Sequence, residues 1–239
     1  MNNTEFLEQI TASFKKFLCT GSRSNEKLKI LHGAIASDLY ERLGKRFTVH
    51  SLGIGDGKED KIQGRYINKA VDITISDRKK AIAGIGVKFV MQNYSQNSNN
   101  YFENMLGETA NIRCNKIPYF QIFIIPDKLP YYDKDGNIKK DWEKFSTHNA
   151  EKYVILSNDN IDVSNHTPTK TLLFVISIPD PPHPLANREQ YKLYYSECED
   201  FVVSESSAEY GEFDNAVVFN DYEKFANSVV NYLNYLYPL

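Results

Sequence analysis

Two short apolar segments, each with one charged residue inside it, constrain this chain of 239 residues most strongly. Residues 71–75 contain Asp72, and residues 83–90 contain Lys88. Both segments are rich in β-branched side chains and a polar turn separates them, so the pattern predicts two neighbouring strands. Charged side chains are costly to bury unless they are paired or bind a metal. An Asp and a Lys on adjacent strands therefore indicate a functional site.

The rest of the chain alternates between helical and strand periodicity. Residues 6–17 and 26–43 carry apolar side chains at helical spacing, and Gly44 ends the second helix. Residues 118–126 are apolar on both faces, which is typical of a buried central strand. We further expect strands at residues 46–52 and 171–178, a loop at 53–64, and helices at 100–114, 147–156 and 222–236. This order predicts an α/β fold with a mixed central β-sheet flanked by helices.

Composition limits the class of protein. With 41% hydrophobic and 25% charged residues, the chain suits one globular domain with a sizeable core. A net charge of -3 neither indicates nor excludes nucleic-acid binding, because a basic groove can coexist with an acidic body. The three cysteines lack CxxC spacing, so we expect reduced thiols in a cytoplasmic protein. A polar N-terminus and short apolar runs predict neither a signal peptide nor a membrane span.

An Asp and a Lys on neighbouring strands are suited to metal-dependent cleavage of phosphodiester bonds. Mg²⁺ prefers oxygen ligands and usually takes one or two carboxylates together with phosphate oxygens. A lysine beside the ion can orient the attacking water and stabilise developing charge. Asp72 and Lys88 meet these two needs.

The arrangement resembles the PD-(D/E)xK, or restriction-endonuclease-like, nuclease superfamily. Asp72 corresponds to the first acid of the motif, and Gly86-Val87-Lys88 corresponds to its (D/E)xK tripeptide. The resemblance covers a helix–strand–strand–strand–helix–strand core at about residues 26–126, with residues 127–239 as C-terminal additions. It implies Mg²⁺ held by Asp72 and a second acid, with the Val87 carbonyl as a further ligand, and Lys88 as the residue that positions water.

The second acid of the motif is missing, because Gly86 stands where Asp or Glu is expected. Some restriction enzymes of this type carry that acid on the following helix. We expect Glu103 to replace it, because its helical face also holds small residues and its spacing from Lys88 is nearer to that variant. Glu108 is the alternative on the same helix, and Asp38 and Glu41 are alternatives on the helix before the first core strand.

Two segments are candidates for contacts with DNA. Lys61, Arg65 and Lys69 precede the Asp72 strand and could bind phosphates. The polar segment after the Lys88 strand either reads base edges and stacks on bases or is a plain connector. Its candidate residues are Gln92, Asn93, Tyr94, Gln96 and Asn97.

The resemblance implies a Mg²⁺-dependent DNA endonuclease, most simply a type II restriction enzyme formed by one nuclease domain over residues 1–239. Cleavage of both strands of a duplex predicts a homodimer. The C-terminal helix supplies part of the subunit interface, or its apolar stripe faces the core instead. The alternatives are a repair or anti-phage nuclease of the same fold, and a catalytically silent domain that binds DNA or a protein.

Overall fold

The described residues form an α/β fold in which a mixed, seven-stranded central sheet is flanked by helices, so the predicted fold class is confirmed. The computed structural model describes residues 1–238, without the side chains of residues 95, 96 and 140–142. The helices are α1 (Asn3–Thr20), α2 (Glu26–Leu43), α3 (Tyr94–Arg113), α4 (Thr147–Ser157), α5 (Arg188–Glu197) and α6 (Tyr222–Leu236). The strands are β1 (Phe47–Ser51), β2 (Asp60–Gln63), β3 (Asn68–Val71), β4 (Ile73–Asp77), β5 (Lys80–Phe89), β6 (Tyr119–Pro126), β7 (Lys128–Tyr132), β8 (Ile138–Lys144), β9 (Lys170–Ser177), β10 (Ser204–Glu205) and β11 (Val217–Phe219).

The central sheet joins an antiparallel half to a parallel half. Its order is β1-β4-β5-β6-β9-β10, and β11 also pairs with β9. Strands β1, β4 and β5 are antiparallel neighbours, whereas β5, β6 and β9 run parallel. All eight residues of β6 are buried, as expected for a central strand. Two separate hairpins, β2–β3 and β7–β8, complete the described strands.

Helices pack on both faces of the sheet, and ring contacts identify the faces. Phe120 of β6 contacts Tyr232 of α6, whereas Phe123 contacts Tyr153 of α4. Side chains alternate between faces along a strand, so these contacts place α6 and α4 on opposite sides. Lys88 pairs with Phe123 in the parallel register and therefore lies on the α4 side.

Helices α2 and α6 have the bounds that the sequence predicts. Gly44, at a φ of 79°, follows the last residue of α2, a backbone conformation that glycine adopts at low cost. In α6, Phe225, Val229 and Leu233 of the predicted stripe are fully buried. These three side chains therefore pack into the core, whereas Leu236, the last residue of the predicted stripe, is 40% exposed.

Besides the strand expected at residues 71–75, which is interrupted at Asp72 between β3 and β4, two segments differ from the sequence prediction. Helix α3 begins at Tyr94, inside the polar segment that was expected to be a loop up to residue 100. Tyr94 is buried, and its ring packs against Phe145 at 5.6 Å between centroids. Burial of this ring outweighs the weak helix propensity of the Asn- and Ser-rich turn that follows. The second difference is the β2–β3 hairpin, of which β2 lies within the expected loop at residues 53–64.

In the described part of the chain, we find no helix with the length and apolar character needed to cross a membrane.

Candidate active site

Asp72 lies between β3 and β4 and faces a cleft at the end of the sheet. One carboxylate oxygen, Oδ2, accepts a hydrogen bond of 2.7 Å from the backbone N–H of Val87. The side chain is 31% exposed and lines the cleft. Because the two strands are antiparallel neighbours, this bond brings Asp72 next to the residue that precedes Lys88.

Lys88 is the penultimate residue of β5 and lies in the same cleft. Its ammonium nitrogen is 3.9 Å from the ring centre of Tyr101 on α3, a distance at which the ring face stabilises a cation. Burial lowers the pKa of Lys88, and the negative charges of Asp72 and Glu108 partly oppose that change. The structure thus brings Asp72 and Lys88 together, as the sequence predicts.

The acid from α3 that enters the cleft is Glu108. Its carboxylate pairs with Lys69 at 2.5 Å and accepts a hydrogen bond of 3.3 Å from the Tyr119 hydroxyl. Its charge also raises the pKa of Asp72, so the two carboxylates interact. Lys69, a proposed phosphate ligand, therefore contacts a residue of the cleft.

Glu103, the acid preferred from the sequence, is not placed at the site. It is exposed, and the charge with which it interacts is that of Lys152, whose pKa it raises against the lowering effect of burial. The reason is the docking of α3, which turns the Glu108 side of the helix towards the sheet. Helical spacing places both glutamates beside the apolar stripe, on opposite sides of it. It does not predict how α3 is rotated about its axis against the sheet.

Gly86 shows why the acid of the tripeptide is absent. A Cβ atom at this position would lie 2.4 Å from the Tyr119 hydroxyl and 2.7 Å from Oε1 of Gln121. Both residues come from β6, and Gln121 is the direct neighbour of Gly86 in the sheet. The space that an Asp or Glu side chain would need is already occupied by these two polar groups. Glu108 enters the cleft from helix α3 instead.

A buried histidine that the sequence analysis did not select also contacts the site. His32 of α2 is 1% exposed, and its Nδ1 is 4.0 Å from Oδ1 of Asp72 with no hydrogen-bond partner. Ligand atoms of His32, Glu59 and Asp72 all lie within 4.8 Å of one another. The sequence signal that could have identified His32 is its position in the apolar pattern of α2, next to Leu31. An imidazole buried there without a partner needs an explanation.

Burial shifts the pKa values of these three groups towards their uncharged forms. Loss of water around Asp72 raises its pKa from 3.8 to about 6, and the Val87 N–H, which stabilises the ionised form, only partly opposes this. Burial lowers the pKa of His32 to about 4, so its imidazole is neutral at pH 7. Burial also raises the pKa of Glu59, and the nearby Asp72 raises it further. Groups perturbed in this way are frequent at functional sites.

The cleft has a volume of about 410 Å³ and opens to solvent. Its walls come from the start of α2, the end of β5, the middle of α3 and strand β6. Val87 lines it together with Asp72, Lys88 and Glu108. Among the described residues, His32, Glu59 and Asp72 are close enough together to hold a metal ion, and the charge of Lys88 acts on Asp72 from the same cleft.

The acids proposed on α2 serve the fold. Asp38 is buried and pairs with the N-terminal ammonium of Met1 and with Arg42, and it accepts a hydrogen bond from Tyr222. Glu41 is exposed and does not line the cleft. Neither residue reaches the site, because both lie further along α2 than His32, on turns that pack near the N-terminus and α6.

The proposed DNA contacts are placed in different surroundings. Lys61 and Arg65 are exposed, on β2 and at the tip of its hairpin. Gln92 is exposed and Asn93 half-buried, directly before α3. Tyr94 is buried and cannot stack on a base, and the Asn97 amide donates to the backbone of residue 93. The side chain of Gln96 lies outside the described residues.

Comparison with known proteins identifies no relative of this chain. No protein-family model matches it, and no curated protein or solved structure matches it either. The function is therefore argued from the residues of the cleft.

Proposed function

We propose that this protein is a divalent-cation-dependent DNA endonuclease, most simply a type II restriction enzyme. The observation that carries this proposal is the convergence of Asp72, Lys88 and Glu108 in one open cleft. With the β2–β3 hairpin, inserted between β1 and β4, left aside, the elements from α2 to β6 follow the order that the PD-(D/E)xK resemblance implies, and this order supports the proposal. Membership of that superfamily is part of the proposal.

The residues present fit a divalent cation. Asp72 would supply a carboxylate oxygen, and Glu108, whose oxygens contact Lys69 and Tyr119, would supply a second one on giving up one of these contacts. The carbonyl of Val87 would be the further ligand that the resemblance implies. The unpartnered Nδ1 of His32, close to Asp72 and Glu59, adds a nitrogen donor on the other side of Asp72. A bound divalent cation would neutralise phosphate charge and make a water molecule more acidic. We propose Mg²⁺ as the ion, since oxygen donors predominate in the set.

Lys88 would carry the main catalytic role of the protein side chains. Its ammonium group can donate hydrogen bonds to the scissile phosphate and to the attacking water. Tyr101 keeps the side chain over its ring face, which restricts the rotamers of Lys88 and directs the ammonium into the cleft. The hydrolysis forms one P–O bond to the oxygen of water and breaks one P–O bond to the leaving alcohol oxygen, which takes up a proton.

The homodimer is also part of the proposal. Two sites are the simplest way to cut both strands of one duplex, and an isologous pair of identical subunits would provide them. Because Phe225, Val229 and Leu233 of α6 are buried, these three side chains would not contribute to that interface.

A second candidate, a catalytically silent nuclease-like domain, is favoured by the glycine at position 86. The entry of Glu108 into the cleft argues against it, since a second carboxylate is present by another route. Cleavage assays separate the two candidates.

The test is cleavage of unmethylated phage DNA by the purified full chain in Mg²⁺, in Mn²⁺ and in EDTA. Discrete fragments in either cation and none in EDTA would support a sequence-specific endonuclease. A smear would support a nonspecific or repair nuclease of the same site. Absence of cutting on several DNAs in both cations would contradict the proposal and favour the silent domain.

A further inference from the structure

The tip of the β2–β3 hairpin presents two large apolar side chains to solvent. Tyr66 is 81% exposed and Ile67 is 63% exposed, although they are consecutive and lie at a turn. Arg65 precedes them and is exposed as well. The tip thus combines an aromatic side chain, an aliphatic side chain and an arginine. This composition is suited to contact with a partner.

The tip is held rigidly, which is unusual for an exposed turn. The amide oxygen of Asn111 on α3 accepts hydrogen bonds from the backbone N–H groups of Tyr66 and Ile67, and its amide nitrogen donates to the Ile67 carbonyl. The backbone N–H of Arg65 donates to the Asn111 carbonyl. A side chain at Gly64 would collide with Asn111 at 2.1 Å, so the glycine permits this close approach. The tip is therefore preorganised, and little ordering is needed on binding.

The hairpin also connects the tip to the cleft. Its inner face packs through Ile62 and Val71 against Ile112 and Tyr119. The residue after β3 is Asp72, five positions beyond Ile67. At about 3.3 Å per extended residue, the tip lies within roughly 17 Å of Asp72 along the strand. Lys61 on the exposed face adds positive charge between the two.

We propose that Tyr66 and Ile67 form a wedge that inserts into a DNA duplex bound in the cleft, with Arg65 and Lys61 on the neighbouring phosphates. The inference rests on the proposed function for the identity of the substrate. Apolar wedges of this kind partly unstack a base step and bend the duplex, and aromatic rings stack on any base. The rigid tip would thereby fix the position of the scissile phosphate relative to Asp72 and Lys88.

The test measures duplex binding by fluorescence anisotropy in a Lys88→Ala background, with a pool of labelled random-sequence duplexes. Tyr66→Ala, Ile67→Ala and Arg65→Ala are compared with Tyr235→Ala. Tyr235 is a matched control, because it is 82% exposed and lies on α6. A second pool carrying 2-aminopurine reports unstacking directly.

Tyr66→Ala should raise the dissociation constant roughly 10-fold or more, as expected for loss of one stacked ring. It should also abolish the 2-aminopurine signal, while the dependence on salt stays unchanged. Arg65→Ala should reduce the slope of log K against log salt by about 1. The Tyr235→Ala protein should behave like its parent. Thermal melting checks that each variant is folded, which is expected because only backbone atoms of Tyr66 are bonded to Asn111.

Equal affinity of Tyr66→Ala and its parent would overturn the wedge, and so would an equal loss in Tyr235→Ala. A Tyr66→Ala variant that changes the oligomeric state but not duplex affinity would assign the tip to a second copy of the chain and also overturn it. If the wild type cuts DNA in these cases, the proposed function survives. A parent that binds no duplex, with a wild type that does not cut, would overturn both.

Discussion

The carboxylate of Asp72 accepts a hydrogen bond from the backbone N–H of Val87, the residue directly before Lys88. This bond fixes one oxygen of Asp72 against strand β5 and leaves Oδ1 towards His32, at 4.0 Å from Nδ1. The backbone at Val87 thus positions Asp72 through this hydrogen bond and Lys88 through the chain. Any change in the pairing of β4 with β5 would displace both groups together.

Replacing Glu108, but not Glu103, should impair catalysis. Glu108→Gln keeps the shape of the side chain but removes a charge that would hold the cation. We expect the cleavage rate at fixed Mg²⁺ to fall by at least about 10- to 100-fold, the loss typical even for groups one step removed from a metal. Glu103→Gln is the matched control on the same helix and should cut like the wild type. A reversed order of the two variants would reassign the second acid.

Asp72→Asn should stabilise the metal-free protein at neutral pH. The folded-state pKa of Asp72, about 6, lies above its ordinary value of 3.8, so its ionisation disfavours the folded state. The stability that Asp72 contributes is present below about pH 4 and is lost as the pH rises through about 6. Above that pH the asparagine variant should be more stable by about 1–3 kcal/mol, and the advantage should shrink towards pH 4.

Urea unfolding in EDTA at about pH 4 and about pH 7 measures this difference. Addition of Mg²⁺ or Mn²⁺ should then stabilise the wild type more than Asp72→Asn, because binding to the folded state alone raises stability. An advantage that is equal at both pH values would show that ionisation of Asp72 is not its cause.

His32→Leu should separate metal binding from folding. The substitution removes a buried nitrogen without a partner, so stability should stay the same or rise. If His32 contributes to the cation site, Mn²⁺ affinity should fall about 10-fold or more. Calorimetric titration of Mn²⁺ into both proteins measures this effect, and identical affinities would leave His32 with a packing role alone.

Gly86→Ala should destabilise the protein, because the added Cβ would meet the Tyr119 hydroxyl and Gln121 at less than van der Waals distance. We expect a loss of about 1–3 kcal/mol, the usual cost of overpacking. Gly107→Ala is the control: position 107 on α3 has open space around a Cβ, so the variant should gain up to about 1 kcal/mol from helix propensity. Urea unfolding compares the two. A neutral Gly86→Ala would mean that β6 can move, and that the tripeptide acid could be restored.

The sequence predicts correctly the elements whose residues show a clear pattern of apolar side chains. Helices α2 and α6 have regular apolar stripes and matched their predicted bounds, and β6 was recognised as central from its apolar content. The start of α3 was missed because the turn after Tyr94 has little helix propensity, and only the burial of that ring against Phe145 stabilises it. The tip of the β2–β3 hairpin was missed for a similar reason, since Asn111, distant in sequence, holds it.

The candidate site was predictable where it depends on strand order. Asp72 directly precedes β4 and Lys88 lies near the end of β5, so their proximity follows from the antiparallel pairing of these two strands. The choice between Glu103 and Glu108 depends on how α3 is rotated on the sheet, which periodicity alone does not fix. The contact of His32 with Asp72 depends on the packing of α2 near the start of β4, and the only local signal for it is a polar residue among apolar neighbours.

The most direct test of the central claim is the single-turnover cleavage rate of a labelled DNA duplex in Mg²⁺, measured for the wild type and for Lys88→Ala, with EDTA as control. The account predicts cutting by the wild type in Mg²⁺ alone and a rate for Lys88→Ala that is lower by about 100-fold or more. Cutting at equal rates by both proteins, or by the wild type in EDTA, would contradict the assignment of this cleft as the active site.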